Sequence, residues 1–122
     1  MEHKKKYDVF ISYSRADYLD DNNIIINDSP IDNIIKTFDK KKIKYWIDID
    51  GDNASNQYMA KIAKAISNSE KVIFVSSKNS NSPESYWPIK EILFASEKHM
   101  EIVPIRIDNC EFHDNIKIQS NR

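Results

Sequence analysis

The sequence predicts an α/β domain of three layers, with a parallel sheet of four or five strands flanked by helices on both faces. Three observations carry that prediction. Short apolar runs of strand length alternate with amphipathic stretches of helix length, the rhythm of strand–crossover–strand units. The strongest run, Val72–Val75, is apolar at every position, as in a strand covered on both faces. The chain has 122 residues, enough for one core and no more.

The elements follow in order. Val9-Phe10-Ile11 reads as a buried strand, and Ser12-Tyr13-Ser14 as the polar loop that ends it. Residues 17–29 read as a loop, and the Ile24-Ile25-Ile26 triplet inside it calls for a neighbour to cover it. A helix is predicted to start at Ser29-Pro30. Ser suits the N-cap, Pro suits the first helical position and Asp32 sits in the first turn. Ile31, Ile34, Ile35 and Phe38 have the spacing of one buried face, and Lys40–Lys42 complement the negative end of the helix dipole. Ile43–Ile47 is the second strand and Asp48–Asn56 a polar loop. Tyr58–Ile66 is the second helix, with Met59, Ile62, Ala63 and Ile66 on one face. After the third strand, Val72–Val75, a loop at Ser76–Pro83 leads to a helix from Tyr86 to about His99. Ile102–Ile107 is the fourth strand, and Pro104 within it predicts an edge position. Ile116-Lys117-Ile118 could open a fifth strand, but no amphipathic helix follows. The domain, residues 7–122 behind a tail at 1–6, therefore reads as cut short at its C-terminus or as part of a longer chain.

Composition excludes several function classes. The net charge is −1, which gives no electrostatic case for nucleic acid or an anionic membrane. No apolar stretch approaches the roughly 18 residues of a membrane span, and no signal-peptide core follows the basic run Lys4–Lys6. Cys110 is the only cysteine, so a reducing, cytoplasmic setting is expected. Gly51 is the only glycine, which excludes a dinucleotide fingerprint and a Walker-type loop, both of which need several. Asp48-Ile49-Asp50-Gly51-Asp52 is not an EF-hand, because Asn53 and Met59 occupy the positions that need Gly and Glu. His3, His99 and His113 are scattered and share no spacing with Cys110, so no metal site is expected.

Right-handed crossovers place all strand C-terminal ends on one rim, where open α/β sheets bind ligands. That rim collects Ser12–Arg15, Asp48–Gly51, Ser76–Asn79 and the start of the third helix. Trp87 and Glu91, four apart, project from one face near that helix start. An aromatic plane beside a carboxylate could hold a flat cation and a sugar hydroxyl together. On spacing alone, however, Glu91 reads as a solvated surface residue and Trp87 as a packing residue.

A family resemblance reverses that reading. Tyr7–Ser14 closely resembles the first signature of TIR (Toll/interleukin-1 receptor-like) domains, and Tyr45–Asp48 resembles the second strand leading into the family's BB loop. Ala65–Ser69 with Val72–Ser76 resembles the end of the second helix and the third strand. Ser85-Tyr86-Trp87 through Glu91-Ile92 resembles the Ser-x-Trp…Glu element of TIR NAD⁺ hydrolases, and Ile102–Ile105 resembles the fourth strand. The five pieces occur in the right order over residues 7–108.

The resemblance implies a flavodoxin-like fold and two classes of function. One is cleavage of the nicotinamide–ribose bond of NAD⁺, a substrate rather than a cofactor, to ADP-ribose or a cyclic isomer. In bacteria this points to antiphage defence. The other is a non-catalytic scaffold that binds other TIR domains, a host-signalling mimic included. In the enzymatic class the Glu matching Glu91 is catalytic and the Trp matching Trp87 lies beside nicotinamide. Ser12, Tyr13, Ser14 and Arg15 would then contact ribose and phosphates, with Asp50 and Ser77 as further candidates on the rim. Self-association would run through the BB loop, here Asp48, Gly51, Asp52 and Asn53 within 48–56. The sequence departs from the family pattern in its long 17–29 connection and in lacking a Pro-Gly in the BB loop.

Overall fold

A computed structural model describes residues 5–49, 56–82 and 86–109, with residues 56–58 and 86–87 described by their backbone alone. The described elements are strands β1 (Tyr7–Ser12), β2 (Tyr45–Trp46), β3 (Ser69–Ser76) and β4 (Glu101–Arg106), and helices α1 (Pro30–Lys40), α2 (Asn56–Ser67) and α3 (Tyr86–Glu97). A 3₁₀ turn at Arg15–Asp17 follows β1. All strand pairs are parallel, in the order β2-β1-β3-β4. This is the flavodoxin-like order, and it puts the topological switch point between β1 and β3, where the chain first winds one way and then the other. The Ile116–Ile118 segment lies outside the described residues.

Period-2 alternation divides the strands between two cores. Phe10, Val72 and Phe74 face one side and pack with Ile62, Ala65, Ile66, Ile92 and Ala95 of α2 and α3. Val9, Ile11, Ile73 and Val75 face the other side and pack with Ile31 and Ile35 of α1 and with Tyr13, Tyr18 and Leu19. Along β1 the even-numbered positions therefore point to α2 and α3, and this parity governs the site.

Helix α1 starts as its sequence predicts. Ser29 is the N-cap, its hydroxyl accepting the Asp32 amide at 3.2 Å, and Pro30 opens the first turn. Asp32 in turn accepts the Asp28 amide at 2.9 Å and pairs with Lys36 at 3.0 Å. Two differences from the sequence reading stand out. β2 keeps only Tyr45 and Trp46 in the ladder, opposite Val9 and Phe10, while Ile43 and Ile47 pack against the α1-side core without pairing. The Ile24–Ile26 triplet is not covered: Ile24 is 61% exposed, and Ile25 and Ile26 are 41% and 39% exposed. The triplet is held by main-chain bonds instead, from the Ile26 amide to the Tyr18 carbonyl at 2.7 Å and from the Asp20 amide to the Ile24 carbonyl at 2.9 Å. Pro104 sits on β4, the outer strand of the described sheet, as its lost amide requires.

Scarcity of glycine shows at the helix ends. α1 and α3 both stop through a left-handed residue that is not glycine, Lys42 at φ 59° and His99 at φ 58°. The following amides close Schellman-type bonds, Ile43 to the Phe38 carbonyl at 2.9 Å and Met100 to the Ala95 carbonyl at 3.0 Å. A side chain in this region costs about 1 kcal/mol that glycine avoids. Lys42→Gly and His99→Gly are each expected to raise stability by up to roughly 0.5 kcal/mol, after the greater freedom of glycine in the unfolded chain is subtracted. Urea unfolding checks this, and a loss of stability in both variants would exclude strain at these caps.

Candidate functional site

The site is built where β1 ends. Ser12 is an even-numbered β1 residue, so it points to the α2/α3 side, directly at α3. On α3, Pro88, Glu91, Ile92 and Ala95 form the buried stripe. Glu91 thus occupies a core-facing position and is 6% exposed. The Ser12 hydroxyl, fully buried, donates to Glu91 Oε1 at 2.8 Å and lies 3.5 Å from the Pro88 carbonyl. The surface location that spacing alone gives Glu91 is therefore corrected, because the stripe that buries Ile92 and Ala95 carries Glu91 into the sheet with them.

Burial in this apolar setting pushes the Glu91 carboxyl up to about 8, since desolvation disfavours the charged form. The hydrogen bond from Ser12 acts in the opposite direction, and the nearby Asp48 carboxylate raises the value further. Asp48, at the exit of β2, is itself largely buried and lies 3.8 Å from the Lys61 ammonium on α2. That ammonium sits 5.9 Å from the ring centre of Trp46, which stacks on Phe10 at 5.1 Å and 11°. Glu91 also lines a cleft of about 320 Å³ between α2 and α3, with Met59, Ile62, Ala63, Lys90 and Phe94. The cleft is apolar apart from Lys90 and Glu91.

The other rim residues make contacts within the protein. The Tyr13 hydroxyl donates to the Asp48 carbonyl, and burial raises its pKa well above the phenol range. Arg15 donates to the Ile49 carbonyl at 2.6 Å and to Asn23 Oδ1 at 2.9 Å. Both side chains thus clamp the segment that leads out of β2, and Arg15 also ties it to the 20–26 turn. Ser14 is half-buried and precedes the 3₁₀ turn without a side-chain cap bond. Ser77, expected on the rim, is 1% exposed; its hydroxyl donates to Asp17, and it accepts the Ser80 amide at 3.0 Å. The reason is again parity: Ser77 follows Val75 onto the α1 side, under the 3₁₀ turn. Asp50, Gly51, Asp52 and Asn53 lie outside the described residues. Trp87 is placed by its backbone in the first turn of α3, and its side chain lies outside the described part.

Sequence reasoning did not assign Ser12 to Glu91, or Asp48 to the carboxyl's surroundings. The signal for the first was present, in the parity of β1 and the 88-91-92-95 spacing of α3. Among the described residues no group of three His, Cys, Asp or Glu side chains could hold a metal ion, and no helix is long and apolar enough to cross a membrane.

The buried carboxyl has a stability consequence. Between its ordinary value of 4.5 and about 8, the folded chain keeps a proton that the unfolded chain has released. Stability must then fall as pH rises through that window. Glu91→Gln removes the effect. Its advantage over the native chain is expected to widen between pH 5 and pH 8.5, by roughly 5–10 °C in thermal midpoint. Equal slopes of midpoint against pH in the two proteins would rule out a burial-raised Glu91.

The TIR domain family model matches residues 9–121. No curated protein matches the sequence. Among solved structures, the TIR domain of the Toll-related receptor TRR-2 from Hydra magnipapillata superposes with a TM-score of 0.69 at 23% identity, over 92% of this chain and 79% of that one. The TIR domains of the activated Roq1 resistosome, which directly recognises the pathogen effector XopQ, give a TM-score of 0.58 at 20% identity, over 83% of this chain and 57% of that one. At these identities the likeness is one of fold. With a family match over nearly the whole length and a parallel sheet that superposes on TIR domains, this chain belongs to the TIR domain family.

Proposed function

We propose that this domain cleaves the bond between nicotinamide and ribose in NAD⁺, with Glu91 as the catalytic residue. The single observation that carries the reading is a carboxyl buried at the β1/β3 switch point, bonded to Ser12 and opening on an apolar cleft. Burying a carboxyl there costs stability, and such sites concentrate where chemistry needs them.

The chemistry fits one carboxylate. The nicotinamide ring nitrogen is already cationic, so the base leaves as a neutral molecule without being protonated. The acid–base pair of O-glycosidases is then unnecessary. An ionised Glu91 would favour the oxocarbenium-like transition state, and in a dry site that interaction is stronger than in water. Asp48 adds a second negative charge nearby. A docked pyridinium cation would favour ionisation of Glu91, opposing the effect of burial. Water attacking the ribosyl cation gives ADP-ribose, and attack by an adenine nitrogen or another hydroxyl gives a cyclic product. Trp87, one turn before Glu91 on α3, is proposed to stack on nicotinamide.

Self-association through the loop at 48–56 belongs to the same proposal. It is supported by the likeness to the TIR domains of a resistosome and by the clamp that Tyr13 and Arg15 place on the entry to that loop. A second reading is a non-catalytic module that binds other TIR domains, and the exposed Ile24–Ile26 and Ile49 side chains favour it. Loss of NAD⁺ in cells expressing the protein, with toxicity absent in Glu91→Ala, separates the two and is the outcome an antiphage role requires.

Concentrated, purified protein incubated with NAD⁺ is expected to release nicotinamide, and Glu91→Ala to lose at least about 100-fold in rate. Equal turnover by both proteins would remove Glu91 from the mechanism. The pH dependence has a definite sign, because the active form is the ionised one. kcat/KM, which reports the free enzyme, is expected to rise with pH, reach half its maximum near 8 and level off above it, while the limb in kcat lies at lower pH, displaced by the bound cation. A rate that falls between pH 6 and 8 contradicts an ionised Glu91.

A further inference from the structure

We propose that Ser12 is a positioning residue for Glu91, its hydroxyl holding one carboxyl oxygen against the end of β1 so that the other is presented to the α2/α3 cleft. The inference rests on the reading of Glu91 as catalytic, but it assigns Ser12 a task other than contact with substrate. Ser12 has no exposed surface and faces α3, so a ligand in the cleft meets the carboxyl and not the hydroxyl.

The geometry is specific. Ser12 and Glu91 are 79 residues apart, and only closure of α3 onto the sheet brings them to 2.8 Å. Glu91 has three side-chain torsions and is buried, 6% exposed, on the stripe of α3 that faces the sheet. A fixed donor at the strand end selects one orientation of the carboxyl among those that packing allows. The groups around it leave this task to Ser12. Asp48, from the β2 exit, opposes ionisation. Lys61 of α2 is paired with Asp48, and Tyr13, at the end of β1, donates its hydroxyl to the Asp48 carbonyl. Lys90, on α3 itself, lines the same cleft but is exposed. Among the described residues, Ser12 is the one group whose contact with Glu91 favours the charged form.

Two substitutions and a direct readout test this. Ser12→Ala removes the donor, and Ser12→Thr keeps it; Ser12→Cys, close in volume and a weaker donor, takes the place of alanine should that variant not fold. Titration of the Glu91 carboxyl is followed by carbon NMR of protein labelled at glutamate Cδ, with the signal assigned by its loss in Glu91→Gln. The Glu91 midpoint is expected to rise in Ser12→Ala by about one pH unit, roughly tenfold in the ionisation constant, and to stay within a few tenths of native in Ser12→Thr. The acid limb of nicotinamide release should move by the same amount, with kcat at neutral pH reduced and KM nearly unchanged, because substrate does not touch Ser12. An unchanged midpoint in Ser12→Ala overturns the proposal, as does a loss of kcat without a shift in titration. A shifted midpoint with no nicotinamide release from any variant, native included, upholds the Ser12–Glu91 assignment and removes the NAD⁺ reading instead.

Discussion

A carboxyl drawn into the seam between β1 and α3 is the constraint around which this domain is arranged. Desolvation makes its charge costly, and one buried hydroxyl offsets part of that cost. The contact forms only if β1 ends at Ser12 in the observed parity and α3 lies across the sheet with Ile92 and Ala95 in the core. Fold and site therefore share the same residues. The apolar stripe that docks α3 is also what aims Glu91, and loosening one loosens the other.

The loops on the rim follow from the same economy of glycine. A phosphate loop made of backbone amides is closed to a chain with one glycine. Here the polar segment after β1 works with side chains instead, and its Tyr13 and Arg15 grip carbonyls of Asp48 and Ile49. The grip fixes where the β2–α2 connection leaves the sheet and brings Asp48 near Glu91. Asp17, Ser77 and Ser80 form a second bonded group on the α1 side, which holds the 3₁₀ turn down on the end of β3. Tyr13 itself packs in the α1-side core, so both devices stand at the C-terminal ends of the strands, beside β1.

Two carboxyl groups, Asp48 and the protonated Glu91, stand close together beside the cleft. Asp48 has Lys61 at 3.8 Å, while the Glu91 carboxyl has a neutral hydroxyl as its bonded partner. Such an arrangement favours a cationic ligand over an anionic one, because a positive charge entering the cleft relieves both carboxyls. The pyridinium of NAD⁺ is a cation of this kind.

The amino-acid sequence by itself determined the alternation of strands and helices, the N-cap at Ser29, the place of Pro104 on the outer strand of the described sheet and the helix that carries Trp87 and Glu91. Each of these is encoded within a few residues, by periodicity, capping chemistry or a missing amide. It also bounded the chemistry, since a single glycine excludes the nucleotide loops that depend on backbone approach. Only the tertiary structure decided that Glu91 is buried, that Ser12 is its partner, that Ser77 lies beneath the 3₁₀ turn and that Arg15 is bonded to Ile49. These contacts join positions between 34 and 79 residues apart. No local pattern contains them, because they arise from which face of the sheet each helix covers, and crossover packing sets that choice.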